Sequence, residues 1–225
     1  MTNLDDKFIK SYLNRSGFWY AFKRSVNDIG NLLILFRYLQ VYEGLNWHNQ
    51  QKEFSNILIK EKLLIPSKNK EDSSANSRGI KKVLELLGLC FVDKNEKLQI
   101  TQMGKKFLNS SSNEELYDIK TNQLLKYQIN NPLIRSGKFK EMQIKPFVFL
   151  LKLLSKLDNQ SINSLEYKLF VSRAHHMDEL QEIINQIIYW RGLNENEKEN
   201  FKNKIMNSEI FHKISGYAGY SMVFF

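Results

Sequence analysis

Residues 76–92 read NSRGIKKVLELLGLCFV, and this stretch decides the fold. Ile80, Val83, Leu84 and Leu87 recur at helical spacing and can face a core, which turns Arg78, Lys81, Lys82 and Glu85 toward solvent. Gly88 stands where a helix stops on a left-handed residue, and Leu89 to Val92 then reads as a short strand. Three cations therefore crowd the first turns of a helix whose other face is built for burial.

Downstream, DKNEK at 93–97 reads as a turn, Leu98 to Thr101 as the returning strand, and TQMGKKFLN as another helix with Thr101 as its cap. Upstream, residues 24–43 place Ile29, Leu32, Leu33, Phe36, Leu39 and Val41 on a buried helical face. A second helix runs from about Asn49 to Leu63, before Pro66, and SKNKEDSSANS at 67–77 is a polar loop. Helix, helix and hairpin in that order are those of a winged helix-turn-helix. The expected fold is mainly α with a short β-hairpin: a winged helix-turn-helix-like DNA-recognition module over residues 1–110, followed by a second helical module.

SSSNEELYDIK at 110–120 reads as a polar loop, and a helix from Thr121 to about Gln128 ends before Asn131-Pro132. NPLIRSGKFKEMQIK at 131–145 is basic and irregular, and suits either a phosphate backbone or a solvated connector. From Pro146 the pattern is helical again: PFVFLLKLLSKL, a break at Asp158-Asn159-Gln160, SINSLEYKLFVSR capped by Ser161 or Asn163, and MDELQEIINQIIYWRGL. This second, helix-turn-helix-like module covers 121–205, with 192–204 an exposed helix or linker. Residues 206–225 end on an apolar tail, ISGYAGYSMVFF, that reads as a truncation.

Lys plus Arg number 33 against 24 Asp plus Glu, a formal charge of +9 over 225 residues, so the surface attracts polyanions. Charge alone does not choose between nucleic acid and an anionic membrane, and a Lys- and Asn-rich composition also follows from an AT-rich genome. The apolar runs NLLILF at 31–36 and PFVFLLKLL at 146–154 fall far short of the roughly 20 residues that span a bilayer, so no membrane partner is expected. MTNLDDKFIK lacks the charge pattern of a secretory signal, and the single Cys90 sits in an apolar strand, which points to a reducing cytoplasm.

Arg78, Asn76 and Ser77 can meet base edges in a major groove, while Lys81 and Lys82 meet phosphates; the alternative is an ordinary basic solvent face. Lys105, Lys106, Arg135, Lys138 and Lys140 are the further phosphate candidates. Asp158 with Glu166-Tyr167-Lys168 superficially matches the acidic-x-Lys nuclease signature, but Glu166 and Lys168 fall in a helical pattern, so no catalytic residue is assigned. The four His residues and Cys90 lack metal-ligand spacing, and neither a metal site nor a cofactor is expected in this chain. A stand-alone winged-helix transcriptional regulator, which would read a symmetric operator as a dimer, is the rival reading.

NSRGIKKVLELLGLCFVDKNEKLQITQMGKKFL, QLLKYQINNP, IKPFVFLLKLLSKL, LEYKLFVSR and DELQEIINQIIYWR, in this order and spacing, resemble the N-terminal recognition region of the AlwI-type restriction and nicking endonucleases. The similarity runs over about residues 15–205. It implies double-stranded DNA with a short asymmetric site as partner, read by helical and winged-helix modules. It also implies cutting by a separate C-terminal, Mg²⁺-dependent domain or subunit of the PD-(D/E)xK kind, lying beyond Phe225, so that this chain binds and does not cut. The family's arginine near the start of the recognition helix falls on Arg78; the other contacts rest on the residues alone.

Overall fold

The computed structural model describes residues 19, 28–65, 74–131 and 139–206. The polar loop at 67–73, Arg135, Lys138 and the tail at 207–225 lie outside the described residues. The chain divides into two compact units, one formed by Lys23–Tyr127 and the other by Met1–Phe22 with Gln128–Phe225.

The first unit begins with α1, Ile29–Gln40, which Asp28 caps by accepting from the Asn31 amide at 2.7 Å. Ile29, Leu32, Leu35, Phe36 and Leu39 form its buried face. Val41, expected on that face, is exposed instead: two residues past Leu39 it points roughly 200° around the helix axis. α2, Trp47–Lys60, is capped by Asn46 and turns Trp47, Phe54 and Leu58 inward. α3 spans Ala75–Leu86. It ends in a Schellman motif, with the Gly88 amide on the Glu85 carbonyl at 2.9 Å and the Leu89 amide on the Leu84 carbonyl at 2.9 Å. Gly88 has φ +67°, the left-handed conformation expected of it.

β1, Cys90–Val92, pairs antiparallel with β2, Leu98–Ile100, in the register Cys90 to Ile100, Phe91 to Gln99 and Val92 to Leu98. A bridge between Asn46 and Lys97 and the Leu98–Leu45 and Gly44–Leu98 hydrogen bonds lay the segment before α2 along the hairpin. α4, Gln102–Leu108, is capped by Thr101, whose Oγ1 accepts from the Gly104 amide at 2.9 Å.

Residues 113–120, expected as loop, are the first half of α5, Asn113–Lys126. Ser112 caps it through the Glu115 amide, and the Glu115 carboxylate accepts from the Ser111 amide, both at 3.2 Å. The polar run SSSNEE is thus a cap rather than a connector, and Leu116 and Ile119 continue the buried face. α1 packs against α2, α3, α4 and α5, with α2 on α3 and α3 on β1, so the core of this unit wraps α1.

In the second unit Ile129 and Asn130 donate to the carbonyls of Ile144 and Met142, tying the segment that leads into α6, Pro146–Lys156. α7, Ser164–Leu169, is followed by short 3-10 turns at Val171–Arg173 and Met177–Glu179, then α8, Leu180–Gly192, and α9, Glu195–Met206. Trp19 anchors this unit: its indole donates to the Ala174 carbonyl at 2.8 Å, and its ring meets Phe149 and Tyr167 edge-on. α6 packs on α8, and Phe170, Trp190 and Phe201 close a second aromatic cluster. Among the described residues the fold is mainly helical with one two-stranded antiparallel hairpin.

Candidate nucleic-acid interface

α3 is amphipathic, but its charges are sorted more finely than periodicity alone indicates. Arg78 is exposed, with Nη1 donating to the Ser74 hydroxyl at 2.5 Å. Ser77 is fully buried, its hydroxyl beside the carbonyls of Gln51 and Ser74 at 3.0 and 2.7 Å. It therefore does not face solvent, because position 77 falls three residues before Ile80 on the face packed against α2. Asn76 lies in the first turn of the helix, and its side chain is outside what is described.

Glu85 turns inward as well, with only 6% of its side chain exposed, and takes Lys81 at 2.7 Å and Lys82 at 3.9 Å. Lys81, 14% exposed, also lies 5.7 Å from the centre of the Trp47 ring. An ammonium above an indole and beside a carboxylate is held by both attractions. Part of the positive charge crowded into α3 thus neutralises a buried carboxylate. Burial first, and the Glu85 charge next, push the Cys90 thiol up, so Cys90 is an unreactive core residue.

The hairpin turn adds cations that the sequence reading did not single out. Asp93 Oδ1 accepts from the amides of Asn95 at 2.8 Å and Lys97 at 3.0 Å, and Oδ2 accepts from Gln99 Nε2 at 2.9 Å. The Lys97 amide bond leads the causes that hold the Asp93 carboxyl below its ordinary range. Glu96 adopts φ +61°, and Lys94 and Lys97 stand exposed on this tied turn. The signal was available in the DKNEK string: an Asx turn flanked by lysines. On α4, Lys105 and Lys106 are exposed, Lys105 lying 3.8 Å from the exposed Glu43, a pairing of little strength. Lys140, in the second unit, is exposed while its carbonyl accepts from Asn130 at 2.7 Å.

Glu166 is no candidate general base. Burial opposes its ionisation, but Arg191 outweighs this and holds the carboxyl below its ordinary range, with Nε 2.7 Å from Oε1 and Nη2 2.9 Å from Oε2. Its Oε2 also accepts from the Asn163 amide at 2.9 Å, completing a capping box at the start of α7. Among the described residues no three His, Cys, Asp or Glu side chains come together in a group that could hold a metal ion. Among the described residues no helix is long and apolar enough to cross a membrane.

No curated protein matches the chain. The family model described as AlwI restriction endonuclease matches residues 85–218, more than half of the sequence. That match starts at the buried carboxylate of α3 and takes in the hairpin, α4, α5 and every described helix of the second unit. A restriction endonuclease family implies DNA as the molecule acted upon, and the chain belongs to the AlwI restriction endonuclease family.

Proposed function

We propose that this chain is a sequence-reading part of a restriction or nicking endonuclease, and that α1, α2, α3 and the hairpin form a winged helix-turn-helix that binds double-stranded DNA. The observation that carries this reading is the combination on one unit of an exposed Arg78 at the start of α3 with a hairpin turn that Asp93 ties and that bears Lys94 and Lys97. A helix fits the major groove, where a guanidinium can take a guanine edge in bidentate fashion, while a wing reaches the adjacent backbone. Lys105, Lys106, Lys140, Arg135 and Lys138 remain phosphate contacts in this proposal, and Asn76 a base contact. Ser77 and Lys81 act inside the unit, since their polar atoms are already engaged.

No step of bond cleavage is assigned to the residues described, and the Mg²⁺-dependent cutting domain is proposed to be separate from them. The test is a titration of the chain against its selected duplex and against random duplex, without Mg²⁺. Arg78→Ala should cost roughly 1–3 kcal/mol on the selected sequence and little on random DNA. Equal losses on both would remove Arg78 from the reading role. Mg²⁺-dependent cleavage by this chain would overturn the assignment of recognition alone.

A further inference from the structure

α6 contains no acidic residue and carries cations on one line. Lys152 and Lys156 are exposed, and so is Lys145, the residue immediately before the helix. At 3.6 residues per turn these three positions fall within about 40° of one another. They lie at the edge of the face that buries Phe149, Leu150 and Leu153, so the row is set by the same phasing that seats the helix.

Three observations describe how the row is placed. Its first member is fixed by the pairing of Ile129 and Asn130 with Ile144 and Met142, in which Met142 and Ile144 are fully buried and Lys145 emerges at the next outward position. None of the three takes part in an ion pair among the described residues, a property they share with Lys94, Lys97, Lys106 and Lys140. Lys152 and Lys156, four apart, repel each other along the helix, and no carboxylate on α6 relieves them.

We propose that Lys145, Lys152 and Lys156 form a clamp for the DNA backbone on the second unit, independent of sequence. The row is about 16 Å long at 1.5 Å per residue. Its three ammonium groups can meet up to about three phosphates of the backbone. The inference rests on the DNA reading above and extends it: the first unit reads the site, and α6 holds backbone whatever the sequence. A row of ammonium groups with no ion pair among the described residues gains by releasing counterions from a polyanion.

The experiment compares the full chain with the Lys145→Gln/Lys152→Gln/Lys156→Gln variant on the selected duplex and on random duplex, across a series of salt concentrations. The clamp predicts an equal loss of tenfold or more on both duplexes, and a fall in the slope of log affinity against log salt of about 2–3, near 0.9 per contact. The triple Lys→Arg variant should bind like the parent. If the parent binds DNA and the glutamine variant matches its affinity and slope, the clamp is wrong while the DNA reading stands. If the parent binds neither duplex, both fail. If the glutamine variant keeps its DNA affinity but loses binding to vesicles of phosphatidylserine and phosphatidylcholine, the row serves a membrane surface and the proposal is overturned.

Discussion

Arg191 reaches back 25 residues to grip Glu166 with two nitrogens, Nε on Oε1 at 2.7 Å and Nη2 on Oε2 at 2.9 Å. The same guanidinium donates to the Ser161 carbonyl at 2.6 Å and to Asn159 Oδ1 at 2.7 Å. One side chain at the end of α8 therefore fixes both the start of α7 and the turn before it. Glu166 is 2% exposed and Arg191 28%, so solvent screens this pair only in part.

Arg191→Ala should destabilise the chain by about 3 kcal/mol, read as a lowered urea midpoint at neutral pH, because it strands a buried carboxylate. Glu166→Gln reports the sign of the linkage. The folded carboxyl lies below its ordinary range, so its contribution is present above the unfolded value of about 4.3 and is lost as pH falls through the folded value. The gap in stability between the parent and Glu166→Gln should therefore shrink on acidification below about pH 5. A gap that stays constant down to the acid transition would show that the charge is not what Arg191 holds.

Lys81 and Lys82 look alike in sequence and should behave differently. Lys81→Ala removes the partner at 2.7 Å from the buried Glu85 and should cost about 2 kcal/mol in thermal or urea unfolding. Lys82, 26% exposed and 3.9 Å away, should cost within about 0.5 kcal/mol. Equal losses would mean that the geometry around Glu85 is not the determinant.

These two lysines also show where the sequence is legible and where it is not. The buried face of α1, the α3 stop at Gly88, the hairpin and the Thr101 cap could all be read, because each rests on spacing or on a residue type that one local conformation requires. Ser77 and Arg191 could not, because their partners lie far along the chain, Gln51 for Ser77 and Glu166 for Arg191; Glu85 could not, because its same-helix partners Lys81 and Lys82 fit an exposed ion pair equally well. Residues 113–120 were missed for a related reason, since a Ser and Glu run reads as loop by composition and as a helix start only once the Ser112 hydroxyl accepts from the Glu115 amide and the Glu115 carboxylate from the Ser111 amide. Lys94 and Lys97 were legible in the DKNEK string, but only as a turn, until Asp93 was seen to pin both sides of it.

Gly104 is required by close approach rather than by its backbone angles. A Cβ built there would lie 2.1 Å from the Leu89 carbonyl oxygen, a main-chain atom that the Thr101 amide also uses. Gly104→Ala should cost about 3 kcal/mol or more, since α4 must move off the hairpin to admit a methyl group. Retention of the parent unfolding midpoint would contradict that packing.

In the proposed reading the β1–β2 turn acts on DNA without regard to sequence. Lys94→Ala with Lys97→Ala should weaken selected and random duplexes alike and lower the salt slope by about 2. Loss confined to the selected duplex would make the turn a base reader.

The most direct measurement is selection of bound duplexes from a random DNA library by the full chain, at two salt concentrations and without Mg²⁺. The account predicts enrichment of one short asymmetric sequence that persists at the higher salt. A palindromic enrichment would point instead to a dimeric regulator, and binding that is uniform in sequence and vanishes with salt would contradict a reading role altogether.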